Sequence, residues 1–439
     1  MNQRDALDTL KMGHNVYLTG AAGSGKTYVL NKYIEYLKKN KVGVGITAST
    51  GIAATHINGV TIHSWCGIGI KDALTEEDIT DLVDNYDLRM KFWGTKVLVI
   101  DEISMLHAYR LDMIDRVCRA FKNKPLPFGG LQIIFCGDFF QLPPVTRGME
   151  DGSFAYKSTV WQEMDLKTCY LSEQHRQSDD SLLQILDDIR GNKVNDDTLN
   201  FIESRYEKEP EGFATSTKLY THNIDVDAIN SRELSKINEP EKSYQMTGEG
   251  DRELVRFLRK SCLAPETLSL KIGAVVMFVK NNFDKGFVNG TLGKVVGFEK
   301  ESNYPIVEIK SGVKITVIPE NWIVERNDVT IASITQIPLR LAWAITIHKS
   351  QGMSLDAVEI DLSKSFVPGM GYVALSRART LTGIKLIGMN NMALKINSEV
   401  FAMDVKLKEN SEKHEDYLLG MDEKEKKKRQ EEFTKSISR

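Results

Sequence analysis

The sequence predicts an α/β protein with two parallel-sheet domains, the second interrupted by a small antiparallel β-barrel. Three observations predict it. Short apolar runs ending in Gly or an acid alternate with helical periodicity in the first third of the chain. The same alternation returns after residue 217. Between about 240 and 330 lie short β-like runs with Gly-Asn turn signals. Strand–helix alternation places strands parallel, with helices on both faces. Closely spaced short runs with turns read as antiparallel strands.

Each element follows in order. NVYLTG (15–20) is a strand, and KTYVLNKYIEYLKKN (26–40) a helix with Val29, Leu30, Tyr33, Ile34 and Leu37 on one face. VGVGIT (42–47) is a strand, and STGIAATHI (49–57) a short helix opening on Ser49. TKVLVIDE (95–102) and LQIIFCGD (131–138) are buried strands ending in acids, with helix RLDMIDRVCRAF (110–121) between them. The acidic insertion 72–93 reads as a solvated face without a hairpin. TKLYTHN (217–223), DAVEIDLS (356–363) and IKLIGM (384–389) are strands of the second domain. Helices lie at 226–237 and near YVALSRAR. The tail from 404 interleaves acids and bases and reads as a solvated helix or a disordered segment.

Composition narrows the class. The chain has 439 residues, 41% apolar and 27% charged, with net charge -3. That balance is ordinary for a globular protein, and any nucleic-acid binding must come from local arrangement. No apolar run approaches the ~20 residues of a membrane span, and the start shows no secretory pattern. Cys66, Cys118, Cys136, Cys169 and Cys262 are scattered without a CxxC pair, so zinc is not expected and a reducing, cytoplasmic setting is.

GAAGSGKT (20–27) matches G-x-x-x-x-G-K-[ST] between a strand and a helix, the context that gives this motif meaning. Gly20, Gly23, Ser24 and Gly25 let backbone N–H groups wrap phosphates at a helix N-terminus. Lys26 reaches the β and γ phosphates, and Thr27 ligates Mg²⁺. Asp101 completes the magnesium shell, and Glu102 is the candidate base for the attacking water. No N-K-x-D guanine reader is found, so ATP is the expected nucleotide. Gln3 reads equally well as an adenine contact or a surface residue. Gln141, three residues past a strand end in GDFFQLPPV, is the candidate γ-phosphate sensor.

Together with TASTGIAA, TIHSW, VLVIDEISML, EQHRQ, KLYTHN, NGTLGKVVGF, TIHKSQG and YVALSRAR, these motifs resemble the superfamily 1 DNA helicases, closest to the Pif/RecD-like group. The resemblance covers roughly residues 1–390. It implies two RecA-like domains, 1–170 (with a small insertion at 66–93) and 171–239 plus 331–403. It implies an SH3-like barrel at 240–330, ahead of the tail 404–439. It also implies ATP in the cleft between the RecA-like domains. Arg176 and Arg377 match the family's two arginines at the γ-phosphate. Such a positive fork contributes on the order of 10³-fold or more.

The resemblance further implies that TIHKSQG spans two ligands: Thr346 and His348 on DNA, Gln351 and Gly352 near the γ-phosphate. In the first domain Thr50 contacts a DNA phosphate, while His63 and Phe140 offer flat faces. Base stacking contributes ~1–3 kcal/mol per base and tolerates any sequence. Trp65 fits either stacking or core packing, with core slightly favoured. Lys280 and Asn289 are weaker candidates. The expected activity is ATP-dependent, 5′-to-3′ unwinding of duplex or structured DNA. Its partners are single-stranded DNA and single/double-strand junctions, bound as a monomer. The rivals are a single-strand-stimulated ATPase without strand separation and an RNA helicase. Repair, recombination and telomere maintenance are compatible settings.

Overall fold

The computed structural model describes residues 1–439 except 70, 145–152, 174–178, 212–215, 221–225, 283–284, 286, 288, 310, 327–328, 349 and 439. Its first domain is built on six parallel strands. Their order is Val60–Thr61, Val44–Ala48, Val97–Asp101, Gln132–Cys136, Asn15–Gly20 and Leu166–Leu171. Val97–Asp101 and Gln132–Cys136 are buried along their whole length, because helices cover both faces of the sheet. Successive side chains alternate between two cores. Val16 and Leu18 face the helices Gln3–Lys11 and Lys26–Lys39, while Tyr17 faces Phe139 and Trp161.

The second parallel sheet has the order Ala344–Thr346, Thr217–Tyr220, Val358–Leu362 and Ile384–Met389. The expected strands are all present. The insertion differs in shape. Lys314–Thr316, Pro305–Ile309, Leu292–Phe298, Val275–Phe278 and Leu339–Leu341 form an antiparallel sheet, and no pairing among the described residues closes it into a barrel. Glu320–Arg326, Val329–Gln336 and Thr247–Gly250 form a separate three-stranded sheet. The return to the second parallel sheet therefore comes at Ala344 rather than 331.

Segment 72–93 holds two helices, Glu76–Asp84 and Tyr86–Gly94. The tail departs most from expectation. Helices Ser398–Leu419 and Glu423–Ile437 dock on the first domain. The Tyr170 N–H donates to Ser411 Oγ at 3.0 Å, and Gln430 Nε2 donates to Asp8 Oδ1 at 3.0 Å. Leu418 and Met421 are buried with Leu10 and Met12. Most of the interleaved charge lies on the outer face of these helices, while Asp404 and Lys426 are buried. Among the described residues no helix is long and apolar enough to cross a membrane.

Candidate functional site

The strand Asn15–Gly20 delivers the phosphate loop to the rim of the sheet. Gly25, at φ 86°, sits in the left-handed region just before helix Lys26–Lys39, a conformation glycine adopts without strain. Lys26 Nζ donates to the carbonyls of Gly20 and Ala21 at 2.9 and 3.0 Å. Burial lowers the pKa of Lys26. Ser24 is fully buried, and its Oγ has no hydrogen-bond partner. Thr27 is exposed in the first turn of the helix. Gln3 Nε2 donates to the Ser24 carbonyl at 3.3 Å, which ties the helix Gln3–Lys11 to the loop. Beside it a cavity of about 550 Å³ is lined by Gln3, Tyr28, Lys32 and Glu173. Tyr28 was not singled out from sequence; the residue is 58% exposed there. Its place directly after the Lys-Thr pair is the signal that was present.

The acid pair stands at the end of the neighbouring strand but one. Asp101 is buried, and its Oδ1 accepts the Glu102 N–H at 2.8 Å. Glu102 has φ 52° and ψ 45°, a left-handed conformation that costs a non-glycine residue on the order of 1 kcal/mol or more. Ser49 Oγ donates to its carbonyl at 2.7 Å and helps to hold it there. Burial, then the adjacent Asp101 charge, pushes the Glu102 carboxyl up to about 7, against the pull of Lys26 and Arg377. Burial also raises Asp101. A carboxyl poised near neutrality suits a general base.

The second domain reaches this site directly. Gln351 Nε2 donates to Gln141 Oε1 at 3.3 Å, both side chains buried, so two residues predicted for the γ-phosphate meet across the domain boundary. Arg377 is 1% exposed. Its guanidinium donates to the carbonyls of Val373 (2.9 Å) and Ser350 (3.4 Å) and to Ser376 Oγ (2.8 Å), all on its own domain. Its charge is nevertheless felt at Glu102. Arg176 lies outside the described residues.

The predicted DNA contacts separate into groups. Thr346 is buried at the end of its strand and His348 is half-buried just beyond it, with its pKa lowered by burial. Thr50, rather than Ser49, caps helix Gly51–His56 and accepts the Ala53 N–H at 3.3 Å. Asn289 Nδ2 and His56 Nε2 are 3.0 Å apart, which joins the insertion to that helix. His56, missed from sequence, also sits against Gly352, where a Cβ would lie 3.1 Å from its Nδ1. Lys280 is engaged within the insertion, donating to the Asn321 carbonyl, pairing with Glu320 at 3.7 Å and lying over Trp322.

One flat-face expectation needs correction. Phe140 is 3% exposed, and the Arg190 guanidinium covers its ring at 4.2 Å, so the face offered to a base is occupied. His63 is half-buried, with its Nε2 enclosed and its pKa lowered to about 4, chiefly by burial. Trp65 packs on Phe92 at 4.6 Å as core.

One phosphate loop, with two parallel sheets meeting over it through Gln141 and Gln351, places the molecule among the two-domain, nucleotide-driven motors. The family models described as PIF1-like helicase and DNA helicase Pif1, 2B domain, match residues 1–194 and 253–298. The ATP-dependent DNA helicase Pif1 of Psychrobacter sp. is 44% identical over 93% of this chain and 71% of its own length. The chain spans 62% of the length of several further curated relatives. The crystal structure of Bacteroides sp. Pif1 in complex with ADP-AlF4 superposes with TM-score 0.80 at 31% identity, over 93% of this chain and 96% of that one. A Bacteroides Pif1 structure with ADP-AlF3 and single-stranded DNA gives 0.62 at 32%, over 93% and 96%. The chain belongs to the PIF1-like helicase family, and its enzyme class is that of an ATP-dependent DNA helicase.

Proposed function

We propose that the chain binds single-stranded DNA as a monomer, moves 5′ to 3′ along it and separates duplex ahead, in a reducing cytoplasm that suits its five free cysteines. The observation that carries this reading is the Gln351–Gln141 hydrogen bond. It supports putting the Gln351 end of TIHKSQG at the nucleotide cleft, while this reading gives Thr346 and His348 to the DNA track. A segment shared by two ligands is what energetic coupling requires.

Lys26 leaves its own loop carbonyls to hold the β and γ phosphates, and Gln3 with Tyr28 frames the base. Glu102 takes the proton of the attacking water. Arg377 and Arg176 neutralise charge at the γ-phosphate as the cleft closes. Thr27 and Asp101 are an oxygen-only donor pair, which fits a hard cation that keeps waters and phosphate oxygens as its other ligands. There Thr27 and Asp101 would hold Mg²⁺, whose charge would polarise the phosphoryl oxygens. Thr50, Thr346, His348 and Asn289 grip the strand from both domains.

Steady-state ATP hydrolysis with and without oligo-dT is the first test, followed by forks with a 5′ or a 3′ tail. Strong stimulation, with release of the labelled strand only from the 5′-tailed fork, is expected. Stimulation without release from either fork leaves a translocase. A poly-U effect larger than that of oligo-dT contradicts the DNA assignment. His348→Ala is expected to leave the KM for ATP within about twofold and to reduce stimulation about tenfold or more.

A further inference from the structure

The mechanism above leaves unused a buried polar cluster around Arg190, the last residue of helix Asp180–Arg190. Its side chain is 6% exposed. The guanidinium donates to both oxygens of Asp138 at 2.8 and 2.7 Å and to Tyr170 Oη at 2.8 Å. It also reaches Tyr372 Oη at 3.2 Å and Asp404 Oδ1 at 3.5 Å. These partners come from three parts of the molecule. Asp138 and Tyr170 belong to the first domain. Tyr372 lies in helix Met370–Leu375, five residues before Arg377 in the second domain. Asp404 belongs to the C-terminal helix.

The Tyr372 hydroxyl extends the cluster into the phosphate loop. It accepts the backbone N–H of Ala22 at 3.1 Å and lies 3.4 Å from Asp138 Oδ2, to which it donates. With the Arg190 bond its one hydrogen and two lone pairs are all used. Ala22 is the third residue of GAAGSGKT, and Asp138 stands three residues before Gln141. A single phenol from the second domain therefore holds a donor of the phosphate loop, and the carboxylate that fixes this phenol begins the turn carrying the γ-phosphate sensor.

We propose that Tyr372, set in place by Arg190 and Asp404, is a positioning residue that latches the phosphate loop to the second domain and so makes ATP use depend on DNA. The inference rests on the helicase reading. An N–H carries one hydrogen and serves one strong acceptor at a time. While Tyr372 holds it, the loop cannot settle fully on phosphate. Rotation of the second domain, which DNA favours through Thr346 and His348, withdraws the phenol and frees the loop. Asp404 makes the C-terminal helices part of the latch, since they anchor Arg190 from the side of the first domain.

The test is Tyr372→Phe, which removes one oxygen from a filled site. ATP hydrolysis is measured with and without oligo-dT, alongside a thermal melt. The variant is expected to melt like the parent, to show a KM for ATP without DNA lowered about threefold or more, and to keep its DNA-saturated kcat. At ATP well below KM, its stimulation by oligo-dT should fall about threefold or more, because the basal rate rises. An unchanged KM and stimulation ratio overturns the latch. So does a loss of activity in equal proportion with and without DNA, which marks a merely structural hydroxyl. Should Tyr372→Phe fold poorly, Asp404→Asn decides by the same two readouts, with changes in the same direction expected. If the parent itself is not stimulated by DNA, the helicase reading fails, and the KM arm still judges the latch.

Discussion

Glu102 shows how much a single position carries. Its place after VLVID was readable, because four apolar residues and an acid define a buried strand ending at a ligand edge. Its left-handed backbone and raised pKa were not, because both depend on what surrounds it in space. Glu102→Gln is expected to retain ATP binding and to lower kcat by about 10²–10⁴; a variant that turns over near the parent rate removes Glu102 from the base role. The same substitution has a stability signature. The folded pKa, about 7, lies above the unfolded value, so the parent's contribution from this group is full at low pH and is lost as pH rises through 7. Glu102→Gln does not titrate. Without ligands it should therefore be more stable than the parent at pH 8 by on the order of 1–3 kcal/mol, with the gap closing near pH 5. Denaturant melts at the two pH values check the sign. Phe140 teaches the converse: an aromatic at a strand end reads as a platform until the fold lays Arg190 over it.

At the scale of elements, periodicity located the central strands and the helices that flank them. It placed ends less well. Thr50 rather than Ser49 caps its helix, because both hydroxyls suit the position and local geometry chooses. The tail was misjudged for a different reason. Its charges are interleaved, and its buried positions are few: Val400, Asp404, Ser411, His414 and Leu418 in the first helix. Three of these five are polar and gain partners only in the fold, as Ser411 does on Tyr170 and His414 on Thr9 at 3.0 Å. The helix also covers Leu166–Leu171, which ends the first sheet and would otherwise present an open edge. Near the end of the same helix, Leu418 is 1% exposed and buried with Leu10 and Met12. Leu418→Ala is expected to cost about 2–5 kcal/mol in urea unfolding, as a core leucine does. A loss under ~0.5 kcal/mol, the range of ordinary surface substitutions, would mean that the tail is not docked in solution.

At the scale of the whole molecule, charge and architecture bear on how DNA is held. Net charge is -3, and the candidate contacts Thr50, Thr346, His348 and Asn289 are hydroxyl, imidazole and amide groups. Lys280 is the cation among these candidates, and Glu320 draws on its charge. Single-strand affinity is therefore expected to fall with salt with a log–log slope no steeper than about -3. A slope near -6 in a fluorescence titration would reveal a basic track that these residues do not include.

The sequence by itself determined the chemistry at the phosphate loop, the acid pair, the two parallel sheets and the family, because each rests on contiguous residues whose spacing sets their geometry. Only the tertiary structure decided which long-range partners those residues meet. It set Gln141 against Gln351, Asn289 against His56, and Tyr372 on the phosphate loop. It also folded the tail back onto the first domain. The physical reason is that a motif encodes local backbone and donor geometry. A contact between residues 350 apart, such as Ala22 and Tyr372, is selected by the packing of whole domains, and no short stretch of chain carries that information.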